Sequence, residues 1–411
     1  MSRLRERAET LWNGAAKIDH TMIMSGFGPL EEVAPRLAFV ESFANVTALD
    51  TGDGLVLFDT GSPLTAATVH KEVRGWRSDP LAAAVFTHGH VDHAMGMPPW
   101  DDEAARLGRA RPRVIAHDQI RERFARYKLT AGWNTAINRR QFRIPGFRWP
   151  TEYRDPDETF ASSRTLVIGD TTIELAHAQG ETDDHVWAWL PAQKAIITGD
   201  LFIWAAPNCG NPQKVQRYVR EWADALELMR ARNAELLLPG HGPPIFGAAR
   251  VAQALADTAA LLRTIHDQVV ALMNEGRRLD DVAASVRIPD ELIARPFLRP
   301  VYDDPQFVVR NVWRRYGGWW DGNPARLLPP RDHALAITVA DLAGGVNALA
   351  TRAKEAATKG DLALACQLAE WAHQAQPSPA TREVRATIYR ARAEHETSLM
   401  ARSIFLAAAD E

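Results

Sequence analysis

The heptapeptide Thr87-His88-Gly89-His90-Val91-Asp92-His93, set directly after the apolar run Ala82-Ala83-Ala84-Val85-Phe86, constrains this chain more than any other stretch. Five small or apolar residues in a row read as a buried strand, and the loop leaving such a strand projects its side chains from a rigid base. Three imidazoles and a carboxylate within six residues can then be aimed into one cavity as a metal-ligand set. With 13 His in 411 residues, His-x-His-x-Asp-His is expected in on the order of one in a thousand chains of such composition. Imidazole nitrogen and carboxylate oxygen suit zinc, and also iron or manganese. The competing reading is a polar loop whose histidines only hydrogen-bond.

The motif sits in an α/β rhythm. From about residue 38 to 246, short apolar runs alternate with turns and helical stretches, with strands expected at 39–47, 55–59, 83–87, 113–116, 171–175, 186–190, 194–198 and 235–238. After Gly247 the strand signal ends. Residues 249–273 read as one long helix, 280–330 as shorter helices broken by Pro289, Pro296, Pro300 and Pro305, and 335–411 as three or four amphipathic helices. Gly360-Asp361 followed by an alanine-rich helix hints at one tetratricopeptide-like hairpin. The expected division is 1–247, 248–330 and 331–411.

Composition excludes several classes. Apolar residues make up 46% and charged residues 24%, the balance of a folded globular protein. A net charge of −3 provides no field for nucleic acid or an anionic membrane, and no apolar run reaches membrane-spanning length. A small-molecule partner is expected, with no nucleic acid and no stable membrane anchoring. The first twenty residues scatter charge where a signal peptide needs an apolar core, and only Cys209 and Cys366 are present, too few for a disulfide framework. The expected compartment is the cytoplasm.

On these residues the chain resembles the metallo-β-lactamase superfamily, which implies an α/β, αββα sandwich with further ligands at later strand ends. Asp200 closes Ile196-Ile197-Thr198-Gly199-Asp200 and His241 lies in Leu238-Pro239-Gly240-His241-Gly242, as the superfamily's bridging carboxylate and last histidine would. Asp59, in Leu57-Phe58-Asp59-Thr60-Gly61, resembles its buried supporting aspartate. Where His177-Ala178-Gln179-Gly180-Glu181-Thr182 would usually carry a histidine after glycine, this chain has Glu181, which resembles the alkylsulfatase branch. His177 and His185 are the alternatives to Glu181. The segment from Asn311 to Pro324, with Trp319-Trp320-Asp321-Gly322-Asn323-Pro324, looks like the signature of the alkylsulfatase dimerisation domain. An all-α C-terminal dimerisation region and a homodimer are thereby implied. Detergent-degrading members of that branch carry an export signal and a sterol-carrier-like C-terminal domain, neither seen here. The loop after Asp200 also lacks their Leu-Arg-Gly segment, reading Trp204-Ala205-Ala206-Pro207-Asn208-Cys209-Gly210-Asn211-Pro212.

The resemblance implies two divalent metal ions, zinc in the first instance, one held by His88, His90 and Glu181 and the other by Asp92, His93 and His241, with Asp200 between. Water bound to zinc falls in pKa from about 15.7 to about 7, giving a hydroxide nucleophile for a sulfate ester. Asp92 and Asp200 are the expected catalytic carboxylates. Sulfate calls for planar cationic donors, so Arg140 and Arg217, with Asn208, are candidate substrate contacts. Arg139, Arg220, Tyr127 and Asn134 are further candidates, and Trp133, Trp149 and Trp204 could line a groove for an alkyl tail. Each arginine reads equally as a solvated helix face, and each tryptophan as core. His185 could orient a ligand from behind. The same fold hosts hydrolases of lactones, carboxylic esters and phosphodiesters. A third reading takes the helical half as a partner-binding scaffold with a residual metal site.

Overall fold

A computed structural model describes residues 2–16, 18–19 and 28–411. Thirteen strands among these residues form two sheets, β1 (Glu31–Ala34), β2 (Leu37–Val40), β3 (Val46–Asp50), β4 (Leu55–Phe58), β5 (Leu81–Val85), β6 (Arg113–His117) and β7 (Glu158–Phe160) in chain order in the first. The second sheet runs β13 (Ile245–Phe246), β12 (Leu236–His241), β11 (Ala195–Ile203), β10 (Val186–Leu190), β9 (Thr171–His177) and β8 (Ser163–Ile168). Within the first, β4 to β7 are parallel neighbours, Phe58 facing Val85 and Val85 facing Ile115. In the second, only β11 and β12 are parallel.

Period-two alternation explains the layering. Leu37 and Phe39 of β2, Val56 and Phe58 of β4, and Val186, Ala188 and Leu190 of β10 face the space between the sheets. Ala38, Val40, Leu55 and Leu57 face the other way, onto the helices Ala66–Trp76, Pro98–Arg106 and Ile120–Leu129. Trp187 and Trp189, on the outer face of the second sheet, pack into a core built with the helices Val219–Arg230, Ala248–Asn274 and Pro305–Gly317. The result is helix, sheet, sheet, helix, followed by a helical region, as the sequence leads one to expect.

Some expectations need correction. Residues 39–47 are two strands, because Asn45 turns the chain at 41–45: its amide donates to the carbonyls of Pro239 (3.0 Å) and Gly242 (2.8 Å), and its own N–H to that of Gly240 (2.8 Å). The pair β8 and β9 begins earlier than the expected strand, since the half-exposed face of β8 dilutes its apolar signal. The last region holds five helices, Asp332–Leu342, Val346–Thr358, Leu362–Ala375, Pro379–His395 and Leu399–Asp410. Their extra breaks fall at Gly344 and Gly345, both at positive φ, and at Ser398, whose hydroxyl caps Ala401. Among the described residues no single helix is long and apolar enough to cross a membrane.

The core on the outer face of the second sheet runs without interruption from Trp12 and Leu11 through β11 to Phe297 and Val312. Phe297 stacks on Trp12 at 5.2 Å and meets Phe202 of β11 at 6.0 Å. Phe297→Ala should therefore cost about 3–5 kcal/mol, and far-ultraviolet dichroism and tryptophan fluorescence should move together in urea; separate transitions would contradict a shared core.

Candidate metal centre

The loops after β5 and β9, with β11 and the end of β12, bring seven side chains together. His88, His90, Glu181 and Asp200 form one group of potential donor atoms, and Asp92, His93 and His241 a second, each group's atoms lying within 4.8 Å of one another. Asp200 faces both. Its Oδ2 is 3.7 Å from His88 Nε2, and its Oδ1 is 3.2 Å from His93 Nε2 and 3.3 Å from His241 Nε2. Asp92 Oδ2 stands 3.7 Å from the Nε2 atoms of both His93 and His241.

Local backbone explains the convergence. Gly199, at φ +49°, interrupts the regular pairing of β11 with β12 where Asp200 leaves it. Gly240 has to be glycine, because a Cβ there would fall 2.1 Å from Asp200 Oδ1. Asp59, just past β4 at φ +59°, takes hydrogen bonds from Thr87 N (2.7 Å), Thr87 Oγ1 (2.8 Å) and His93 Nδ1 (2.7 Å), so His93 turns Nε2 toward Asp200. His241 is held likewise, Nδ1 bonding to the Phe43 carbonyl.

The donor set fits divalent cations of the zinc type: four imidazoles and three carboxylates, with no thiolate among them. His88 Nε2 and His90 Nδ1 converge to 2.7 Å. His93 Nε2 and Asp200 Oδ1, buried and close, make no hydrogen bond of acceptable geometry. Electrostatics agree at His88 and Asp200, whereas at His93 and His241 burial lowers the pKa and Asp200 overrides it, holding both rings above the ordinary imidazole range. Burial holds His88 well below the ordinary imidazole range, reinforced by His93, His90 and His185, leaving a neutral ring suited to ligation. Burial also works against ionised Asp200, yet His93 and His241 hold it well below the carboxylate range. Glu181 is pushed up to about 8 by burial, with Arg217 opposing and Asp200 adding to the rise.

The other candidates fall differently. Asn208 Nδ2 donates to Glu181 Oε1 at 2.6 Å, and Arg217 NH1 contacts the same oxygen and the Asn208 carbonyl, so both lie against the site. Arg140 donates to Gln213 Oε1 at 2.9 Å. Arg139 caps the Phe147 carbonyl, and Arg220 lies exposed beside Asp224 on its helix. Tyr127 accepts from Arg123, and Asn134 donates to Thr130. Trp204 is not a groove residue: it is wholly enclosed in the core and donates to the Pro243 carbonyl. Trp149 is buried against Tyr127, and Trp133 is exposed. His177 donates to the Asp183 carbonyl and stacks on His117, outside both donor groups. His185 stacks on His88 at 4.6 Å and accepts the Asp200 N–H at 3.2 Å.

Sequence reasoning missed the brace behind the metal loop. Asp184 Oδ2 accepts from Gly89 N (2.8 Å), Arg123 Nε donates to Asp184 Oδ1 (2.7 Å), and Arg123 NH2 contacts Asp183. A Cβ on Gly89 would lie 2.8 Å from Arg123 Cδ. The signal available was the pair Asp183-Asp184 beside Glu181; Arg123 itself, in Arg121-Glu122-Arg123, reads as solvated. Arg123→Met leaves Asp184 unpaired and buried, which should cost about 3–5 kcal/mol and weaken divalent-metal retention roughly 10- to 100-fold. Thermal denaturation and chelator competition would read both, and metal retention equal to the parent's would count against the brace.

Two family models match, the metallo-β-lactamase superfamily over residues 40–241 and alkyl sulfatase dimerisation over residues 278–411. A linear primary-alkylsulfatase of Pseudomonas sp. is 25% identical over 350 residues, covering 79% of this chain and 65% of that protein. An (R)-specific secondary-alkylsulfatase of Pseudomonas sp. is 26% identical over 399 residues, covering 89% of this chain and 59% of that protein. This chain thus spans less than two thirds of the length of either relative. The solved structure of a stereoselective inverting sec-alkylsulfatase from Pseudomonas sp. matches with a TM-score of 0.83 at 25% identity, covering 93% of this chain and 65% of that one. Matched in both halves and along most of its length, the chain carries a metallo-β-lactamase superfamily region followed by an alkyl sulfatase dimerisation region, and it is similar throughout to alkylsulfatases.

Proposed function

We propose that this protein hydrolyses alkyl sulfate esters to alcohol and inorganic sulfate with the help of two divalent cations, zinc in the first instance. The observation that carries this reading is the place of Glu181, converging with His88, His90 and Asp200 beside a second group of Asp92, His93 and His241. The alkylsulfatase relatives and the C-terminal match support it.

Two such cations, when bound, supply Lewis-acid charge to the ester and lower the pKa of water toward about 7. His88, His90 and Glu181 would hold one and Asp92, His93 and His241 the other, with Asp200 serving both. Asp59 and the Phe43 carbonyl fix the rings of His93 and His241, so their metal-facing nitrogens need no reorientation. Asn208 and Arg217 steady Glu181 through Oε1, and in this proposal the donors left over, with Arg140, would serve an anionic head group. Overall, one water is consumed, a C–O or S–O bond breaks, and alcohol and hydrogen sulfate leave.

Homodimerisation through the helical region is part of this proposal. The exposed Trp319, Trp320, Leu327 and Leu328 support it. The cytoplasm is the proposed compartment, in keeping with Cys209 and Cys366 both unpaired and buried.

Zinc-loaded protein should release sulfate from a panel of primary and secondary alkyl sulfates, and His88→Ala and Asp200→Ala should lose at least about 10³-fold in kcat/KM, within the range that metal chemistry contributes. Turnover retained in Asp200→Ala would sink the mechanism. No sulfate release at full metal loading would redirect the search to carboxylic esters, lactones and phosphodiesters. Sedimentation of the same protein should give twice the monomer mass, and a monomer would overturn the dimer.

A further inference from the structure

Between Glu122 and Glu152 the sequence has no acidic residue, although the whole chain holds 51 acids to 48 bases. Arg123 in this stretch is engaged by Asp183 and Asp184, and Arg143 by Asp410. Among the described residues Arg126, Lys128, Arg139 and Arg148 have no carboxylate within ion-pairing distance. Two of them lie over aromatic rings. The Arg126 guanidinium is 5.6 Å from the centre of the Tyr127 ring and Lys128 Nζ 5.7 Å from that of Tyr153, an attraction that holds a cation in place without neutralising it.

The helices that carry these cations, Ile120–Leu129 and Ala131–Phe142, meet at Thr130. The elbow is pinned: Thr130 Oγ1 donates to the Arg126 carbonyl at 2.8 Å, Asn134 Nδ2 donates to Thr130 Oγ1 at 2.9 Å, and the N–H groups of Thr130 and Asn134 reach the carbonyls four residues back at 2.9 Å each. Ala125, Leu129, Gly132, Trp133 and Ala136 follow the spacing of an apolar helical stripe, and such a stripe ordinarily faces a core. Here every one of them is exposed, Leu129 at 85% and Trp133 at 57%. An apolar stripe turned to water between uncompensated cations marks a surface without its partner.

Charge and polarity together select the partner. A second copy of this chain would bring like cations face to face across a symmetric contact. A nucleic acid needs open rings on which to stack its bases, but Tyr127 is buried beneath Arg126, and leucine adds nothing to phosphate recognition. An anionic amphiphile in aggregate offers both halves of the match, hydrocarbon for the stripe and negative head groups for the cations at its rim. The surface also backs onto the metal loop: Arg123 NH1 donates to the Tyr127 hydroxyl at 3.2 Å, Arg123 Nε to Asp184 Oδ1 at 2.7 Å, and Gly89 N to Asp184 Oδ2 at 2.8 Å. We propose that this elbow seats the protein on anionic surfactant micelles, the assembled form of an alkyl sulfate, with Leu129 and Trp133 entering the hydrocarbon and Arg126, Lys128 and Arg139 meeting the head groups. The choice of occupant rests on the alkyl sulfate reading of the site.

The test uses the zinc-loaded full chain as parent, Lys128→Glu, Leu129→Ser and the double variant. Each is mixed with non-ionic surfactant micelles, plain or doped with dodecane-1-sulfonate, which has no ester oxygen to cleave, and micelle-bound protein is measured by gel filtration. Turnover of octyl sulfate below its micelle-forming concentration is measured alongside. The parent should favour doped micelles and lose that preference in high salt. Each single variant should weaken partition about tenfold and the double variant more than either, while kcat/KM on dispersed octyl sulfate stays within about twofold of the parent's. Equal partition of the parent into plain and doped micelles, or parent-like partition of the double variant, would overturn this inference with the alkyl sulfate reading intact. Tighter binding to anionic phospholipid vesicles of matched charge, or to a single-stranded RNA, would assign the surface to another occupant and overturn it too. A parent that partitions as expected yet cleaves no alkyl sulfate would uphold the docking surface and overturn the reading of the metal site.

Discussion

The carboxylate of Asp59 is enclosed at the end of β4, in a backbone conformation that costs a non-glycine residue about 1–3 kcal/mol. Three donors hold it there: the N–H and hydroxyl of Thr87 and the ring of His93. Burial pushes its pKa up while His93 and Thr87 pull it down, so the hydrogen bonds are what keep this enclosed acid in register. Through Thr87 it sets where the metal loop leaves β5, and through His93 it sets which nitrogen faces Asp200. His185 then holds the Asp200 N–H while stacking on His88, closing a circuit between the two sheets.

That circuit explains why the architecture suits the chemistry. Each sheet ends its parallel strands at the same edge, β4 and β5 in one and β11 and β12 in the other, so four chain segments reach one place from rigid bases. The buried faces between them are apolar, and the polar groups gathered at the edge bond to one another. Glycines at 199 and 240 let the strands close in around Asp200, where a single added Cβ at residue 240 would collide with its carboxylate.

Much of this was legible in the sequence, for identifiable reasons. The motif from His88 to His93 is local, so its residues could be read together, and the apolar run before it marked the strand. Asp200 and His241 were found because the resemblance directs attention to later strand ends, and each follows an apolar run. The turn at 41–45 was not legible, because Asn45 makes its contacts with Pro239 and Gly242, nearly two hundred residues away. Arg123 was missed for a related reason. In a helix rich in charge, nothing local separates a cation facing solvent from one facing a site. For Trp204, left open between groove and core in the sequence, the structure gives core.

The loop after Asp200 leans on the helical half. Gly210 lies so close to the backbone at Phe307 that a Cβ would meet it at 2.2 Å, and Gly210 N donates to Asp303 Oδ2 at 2.7 Å. Asn311 and Arg217 exchange hydrogen bonds, Arg217 N to Asn311 Oδ1 at 2.8 Å and Asn311 Nδ2 to the Arg217 carbonyl at 2.9 Å. All seven converging side chains precede residue 247, so a shorter chain ending there would look complete on paper. It would have lost the floor beneath Asn208 and Arg217, and with it the grip on Glu181. The helices are in this sense a wall of the site, and a substitution on their inner face is read by the loop before it is read by anything outside the molecule.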